Sequence, residues 1–187
     1  MGTTIKEISR FVNSSSSVDA MFVPLIGGVG QTGNEVHPNQ IVMDLSRAFK
    51  GSFKLLHAPA IISNLELKEN LMEEKSISDI LEYIDKVNIA VVGIGAPTEK
   101  SVMMATGYFD KKEILDMRKK NIVGDICLQF YDINGNNEQY ERNKNVFGMS
   151  LDDIKNIDRV IGVAEGTEKV EAIIGAMNGK YLSLIHI

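Results

Sequence analysis

Short apolar runs, each closed by a small or turn-forming residue and followed by apolar positions at helical spacing, recur along this sequence. Runs at 21–26, 53–57, 89–94, 126–131, 160–164 and 182–185 have the length and β-branched content of buried strands. Between the first two, Ile41, Leu45, Ala48 and Phe49 share one helical face behind Pro38, a residue suited to a first helical turn, so the spacing predicts a helix over 38–50. Ile77, Ile80, Leu81 and Ile84 repeat the pattern, with Ser76 and Asp79 as a capping box. Val170, Ile173, Ile174 and Met177 repeat it again, with Thr167 as N-cap and Gly179 as the stop. Strands and helices alternating in this way make βαβ units, and hence a mostly parallel sheet flanked by helices. The turn at 132–137, with Gly135 inside it, is expected to join two antiparallel strands at one sheet edge, because Asn-Gly supplies positive φ angles. The serine-rich stretch 13–17 is too short for an interdomain linker and reads as a loop.

Several strand-end loops have the composition of anion sites. Gly28, Gly30 and Gly33 have the spacing of the dinucleotide fingerprint directly after an apolar run. In that fold, however, the glycines lead straight into the helix, whereas Asn34, Glu35, Val36 and His37 intervene before Pro38. The P-loop spacing of Gly28 and Gly33 is likewise spoiled by Asn34 in the lysine position. Neither a nicotinamide or flavin cofactor nor a nucleoside triphosphate is expected, and a tight turn that needs glycine for its backbone angles is the plain alternative. Gly2, Thr3 and Thr4 precede a run in which Ile5, Ile8 and Val12 share one face. Hydroxyls and N–H groups at such a helix start suit a phosphate, although a threonine there can equally be a simple cap. Gly166, Thr167 and Lys169 repeat the arrangement after the run at 160–164. A lysine in a first helical turn opposes the helix dipole, a cost that a nearby anion offsets; the plain alternative is a solvated surface lysine. Gly93 and Gly95 close the run at 89–94, and Pro59 closes the run at 53–57. In an open α/β sheet ligands lie beyond the carboxyl ends of the strands, where these elements converge.

Taken together, these residues resemble the sugar-binding domain of SorC- and DeoR-type bacterial transcription regulators, over almost the whole chain and in the same order. The family's Gly-Thr-Thr start looks like Gly2, Thr3 and Thr4, its valine-proline-leucine strand with a double glycine looks like 23–28, and its Pro-Asn helix start looks like Pro38 and Asn39. Its Ala-Pro strand end resembles Ala58 and Pro59, its Gly-Ile-Gly resembles 93–95, and its Val-Gly-Asp resembles 123–125. Its aromatic, Asp and Gly turn resembles 130–135, its Gly-Met-x-Leu-x-Asp-Ile resembles 148–154, and its Val-Ala-Gly-Gly-x-x-Lys resembles 163–169. The resemblance implies a Rossmann-like α/β fold similar to glucosamine-phosphate deaminases and ribose-phosphate isomerases. It implies one effector domain over 1–187, a phosphorylated sugar as ligand, assembly as a dimer or tetramer, and no catalysis. For individual residues it implies a phosphate site from Thr3, Thr4, Gly27, Gly28, Gly30 and Lys169, with Asp125 receiving sugar hydroxyls. Gly2, Asn39, Pro59, Gly93, Gly95 and Gly166 accompany them. Glu165 or Gly166 stands where the family has its second glycine before the lysine, and a glutamate there repels an anion. Ile26 stands where some relatives carry an arginine. By the same comparison the chain is a fragment that lacks the family's helix-turn-helix and its closing Thr-Asp-Glu segment, so operator DNA is expected to be reached only through a missing N-terminal domain.

Composition narrows the classes further. The 187 residues, 44% of them hydrophobic, suffice for one domain with a sizeable core. A formal net charge of −5 leaves no basic stripe for phosphate neutralisation along a nucleic acid. The single cysteine, Cys127, excludes an internal disulfide framework and a Cys/His metal set, and fits a reducing, cytoplasmic setting. Inside an apolar run it reads as a buried small hydrophobe. Apolar stretches are too short to cross a bilayer, and the first residues lack the order of a signal peptide, so no membrane partner is expected. A sugar-phosphate isomerase or deaminase is the rival class, and it needs a positioned acid and base. Asp125 with His37 or Glu165 are the candidates, yet His37, His57 and His186 sit in unlike contexts, and Asp44, Asp152 and Asp153 read as solvated helix residues. In a third reading, a purely oligomerising module, some of the nine methionines would line subunit surfaces, although core filling is their commoner use.

Overall fold

The computed structural model describes residues 2–12, 16–29, 37–98, 101, 104 and 107–186. The chain divides into two compact units, one of residues 1–87 with 145–149, the other of 88–144 with 150–187.

The first unit contains α1 (Thr3–Phe11), β1 (Met21–Phe22), α2 (Pro38–Phe49), β2 (Ser52–Phe53), α3 (Leu65–Glu73) and α4 (Lys75–Ile84). The predicted runs at 21–26 and 53–57 keep only two strand residues each, paired in parallel with Met21 opposite Ser52. Beyond them Ile26 and Gly28 continue as isolated bridges to Gly148 and Pro59. The helix expected over 38–50 is present. Pro38 lies in its first turn, His37 Nδ1 accepts the Asn39 N–H at 3.2 Å, and Lys50 ends it in the left-handed region at φ 53°. The Ser76–Asp79 capping box does not form, because α4 begins one residue before Ser76; Asp79 instead meets Lys75 at 3.1 Å. Reciprocal boxes form where spacing alone did not single them out, at Asp110–Glu113 and Ser150–Asp153.

The second unit contains β3 (Ile89–Gly95), α5 (Lys111–Lys119), β4 (Ile122–Ile126), β5 (Gln129–Asp132), α6 (Leu151–Ile154), β6 (Arg159–Val163), α7 (Val170–Asn178) and β7 (Leu184–His186). Its five strands run in the order β5-β4-β3-β6-β7. β3, β6 and β7 are parallel, while β4 is antiparallel to β3 and β5 to β4. Along β3 the burial alternates, with Ala90, Val92 and Ile94 inside and Ile89 and Val91 exposed. The inner side chains define the face on which Ile94, Ala96 and Ala164 pack with Ala172 and Ile173 of α7. With the parallel pair β1 and β2, the described architecture is α/β with a mostly parallel arrangement and helical cover.

Two expectations about this sheet are corrected. The run at 126–131 is not one strand, because Cys127 and Leu128 take φ 53° and 61° and fold the chain back so that Ile126 pairs with Gln129. Positive φ at both central residues is the mark of a type I′ hairpin turn. The antiparallel edge therefore exists, but its turn precedes the expected one at 132–137. That later segment is an Asx-type loop in which Asp132 Oδ1 accepts N–H bonds from Asn134 at 2.9 Å and Asn136 at 2.8 Å. Thr167 is also not a cap, since Gly166 at φ 105° starts a single 3-10 turn, Thr167–Lys169, that leads into α7.

Candidate functional site

In the first unit, α1 starts from buried Gly2 at φ 135°, and no side chain caps its leading N–H groups. Thr3 is exposed and Thr4 half-buried at that end. Gly27 and Gly28 lie where backbones crowd. The Gly27 N–H donates to the Phe147 carbonyl at 2.9 Å, the Gly28 N–H to that of Ala58 at 2.7 Å, and the Ala60 N–H to that of Gly28 at 2.7 Å. A Cβ on Gly27 would press on the Ala58 and Pro59 carbonyls, and one on Gly28 on the His37 ring, so close approach requires glycine at both. Gly30, like Gly33, falls outside the described residues.

Asn39 is buried, and both its polar atoms are used. Its Nδ2 donates to the Leu56 carbonyl at 3.1 Å, and its Oδ1 accepts the Leu56 N–H at 3.1 Å, so it clasps α2 to the segment after β2. Pro59 is exposed beside its bridge to Gly28. Burial, and then the charge of His57, lower the His37 pKa below the ordinary histidine value. With Nδ1 engaged at the helix start, His37 is a neutral structural cap.

In the second unit, the carboxyl ends of β3 and β6 and the antiparallel β4 bring another group together. Gly93 pairs with Val163, and Gly95 pairs with Asp125. The Asp125 side chain occupies the space a Cβ on Gly95 would need, so the missing side chain of one strand makes room for the acid of the other. Asp125 is only 8% exposed. Burial pushes its pKa up to about 6, opposed by the positive charge of Lys169 and an N–H bond from Leu128. Lys169 is half-buried on the turn after β6, with its N–H on the Gly166 carbonyl at 3.2 Å. Gly166 and Glu165 are exposed.

Sequence reasoning missed Ser101 in the segment after β3; its hydroxyl is buried with no hydrogen-bond partner among the described residues. The residue type carries no signal of this, because only burial makes an unpaired hydroxyl unusual. Cys127 is buried as expected, and burial and then Asp125 hold its thiol above the usual range, so it is no ready thiolate. A polar depression of about 580 Å³ lies elsewhere in this unit, lined by Asp132, Asn136, Gln139, Asp152 and Lys155 among others, and includes none of the candidate residues. Among the described residues no three His, Cys, Asp or Glu side chains are grouped as for a metal ion, and no helix is long and apolar enough to cross a membrane.

Residues 1–186 match the family described as "Putative sugar-binding domain". The sorbitol operon regulator of Klebsiella pneumoniae is 28% identical over 179 residues, covering 95% of this chain and 57% of the regulator. The deoxyribonucleoside regulator of Bacillus subtilis is 29% identical over 186 residues, covering 100% of this chain and 59% of the regulator. This chain thus spans between half and two thirds of those relatives. Among solved structures, a DeoR family transcriptional regulator from Listeria monocytogenes superposes with a TM-score of 0.88 at 35% identity, over 98% of this chain and 72% of that one. The full-length sorbitol operon regulator from Klebsiella pneumoniae superposes with a TM-score of 0.86 at 27% identity, over 98% of this chain and 60% of that one. The chain belongs to the sugar-binding domain family of SorC- and DeoR-type transcription regulators.

Proposed function

We propose that this chain is the effector-sensing domain of a transcription regulator and that it binds a phosphorylated sugar without changing it chemically. The observation that carries the reading is the buried Asp125 carboxyl over Gly95 with the Lys169 charge nearby. A carboxyl desolvated to this degree gains most from a ligand that donates hydrogen bonds, as sugar hydroxyls do. The Lys169 side chain and the Thr167 and Glu168 N–H groups of its turn answer a phosphate. The uncapped N–H groups and threonine hydroxyls at the start of α1 are a separate set of phosphate donors in the other unit, whereas the Gly27 and Gly28 N–H groups are already spent on the Phe147 and Ala58 carbonyls. Ligand that draws the Lys169 turn inward shifts the domain between states, and the differential affinity for the two states is the signal. Operator DNA is contacted by a part of the regulator outside these residues, in the cytoplasm.

The related enzyme chemistry needs a second positioned acid or base beside Asp125. Glu165 is exposed, and His37 is spent on capping α2. Lys169→Ala tests the binding role. We expect it to weaken a bound sugar phosphate by about 10- to 100-fold, the worth of one charge-assisted hydrogen bond, while the free domain still melts cooperatively. Equal affinities by titration calorimetry would remove Lys169 from the site. Turnover of a pentose or hexose phosphate by the purified chain would replace the sensing reading with the enzymatic one.

A further inference from the structure

Asp125 and Lys169 stand on different elements, one on β4 and the other on the turn that leads into α7, and Tyr131 of β5 touches the neighbours of both. Tyr131 pairs with Gly124, the residue before Asp125. Its side chain is fully buried. A Cβ on Gly124 would run into the Tyr131 hydroxyl, and one on Gly175 of α7 would press on the ring, so two missing side chains leave the slot that the tyrosine fills. The hydroxyl donates to the Ala172 carbonyl at 3.0 Å, in the first turn of α7 and shortly after Lys169. The ring also packs on Tyr181, with centroids 5.4 Å apart.

Filling that slot does not require the hydroxyl. Phenylalanine has nearly the same shape, and the Ala172 carbonyl, inside α7, has the helical N–H of Ala176 as its partner. The hydroxyl is therefore an added tie between β5 and the start of α7. Burial, and then the Asp125 charge, hold its pKa well above the usual tyrosine range, so it remains a donor at neutral pH. A ligand that meets Asp125 through its hydroxyls and Lys169 through its phosphate needs both ends at one spacing. A loose end costs affinity, because binding must then order it. We infer that Tyr131 is a positioning residue for the bound sugar phosphate: it touches no part of the ligand, and its hydroxyl fixes the Lys169 turn relative to Asp125. That role presupposes Asp125 and Lys169 as the sugar and phosphate partners.

Titration calorimetry with a panel of pentose and hexose monophosphates, and with inorganic phosphate, tests this on wild type, Tyr131→Phe, Lys169→Ala and the double variant. Tyr131→Phe should still melt cooperatively and should weaken the tightest-binding sugar phosphate by about 3- to 10-fold, the worth of one hydrogen bond. Inorganic phosphate, which reaches the Lys169 end alone, should bind wild type and Tyr131→Phe alike. Added to Lys169→Ala, the tyrosine substitution should cost little further affinity, because the tie then positions no cation. Equal affinity of wild type and Tyr131→Phe for the sugar phosphate would overturn this role alone and leave the ligand reading standing. So would a loss that inorganic phosphate shares, or one that adds in full to that of Lys169→Ala, since either marks a side chain that serves only the fold. A wild type that binds no member of the panel would remove the ligand reading and this role with it.

Discussion

Asp125 links stability to pH. Its folded pKa of about 6 stands above the ordinary carboxylate value, so the folded protein holds this proton more tightly than the unfolded chain. The stabilising effect of the proton is whole below about pH 4 and is lost as pH rises through about 6. Wild type should therefore lose about 2 kcal/mol relative to Asp125→Asn between about pH 4.5 and about pH 7.5, read from urea titrations at both. Parallel pH dependences would show that Asp125 titrates normally. The geometry that creates this environment is equally testable. Gly95→Ala drives a Cβ into the Asp125 carboxyl and should cost about 1–3 kcal/mol of stability, with the loss reduced when Asp125 is also replaced by alanine. Neither property was legible in the sequence. Gly95 and Asp125 were each singled out, but their meeting depends on the register between β3 and β4, which no local pattern fixes.

Among elements, those with a strong apolar stripe against a core were the ones spacing revealed: α2, α4 and α7 lie close to where the pattern put them. α3 was not foreseen, and the reason is physical, since none of its residues is buried and its leucines face no core that would impose a period. The hairpin between β4 and β5 was misplaced for a different reason. Asn134-Gly135 has the residues a tight turn prefers, while the actual turn uses Cys127 and Leu128. There the register of β4 and β5 overrides local preference, and the two residues are held at positive φ at a cost of about 1–2 kcal/mol each. Leu128→Val, which puts a branched Cβ into that conformation and removes a buried methylene, should destabilise the fold by about 2–3 kcal/mol. A loss below about 0.5 kcal/mol in a urea titration would show that the turn relaxes easily. Asp110→Ala removes a real capping box and should cost about 1 kcal/mol, whereas Ser76→Ala should cost little.

For the whole molecule, motif order along the chain identified the family before any coordinates, because strand-end glycines, prolines and acids recur at fixed places in such folds. The same order did not show how the candidate residues divide. Gly2, Thr3, Thr4, Gly27, Gly28, Asn39 and Pro59 fall in one compact unit, and Gly93, Gly95, Asp125, Gly166 and Lys169 in the other. Asn39 proved to be fastened to the Leu56 backbone, a role that its residue type does not distinguish from ligand binding. The central claim is that the domain binds a phosphorylated sugar, and its most direct test is a thermal-shift comparison of sugar phosphates with their unphosphorylated counterparts. A ligand specific to the folded state adds about 2.7 kcal/mol at a hundredfold excess over Kd, which moves the melting temperature by several degrees. The account predicts a rise with at least one sugar phosphate and none with its free sugar; equal shifts with both members of every pair would contradict it.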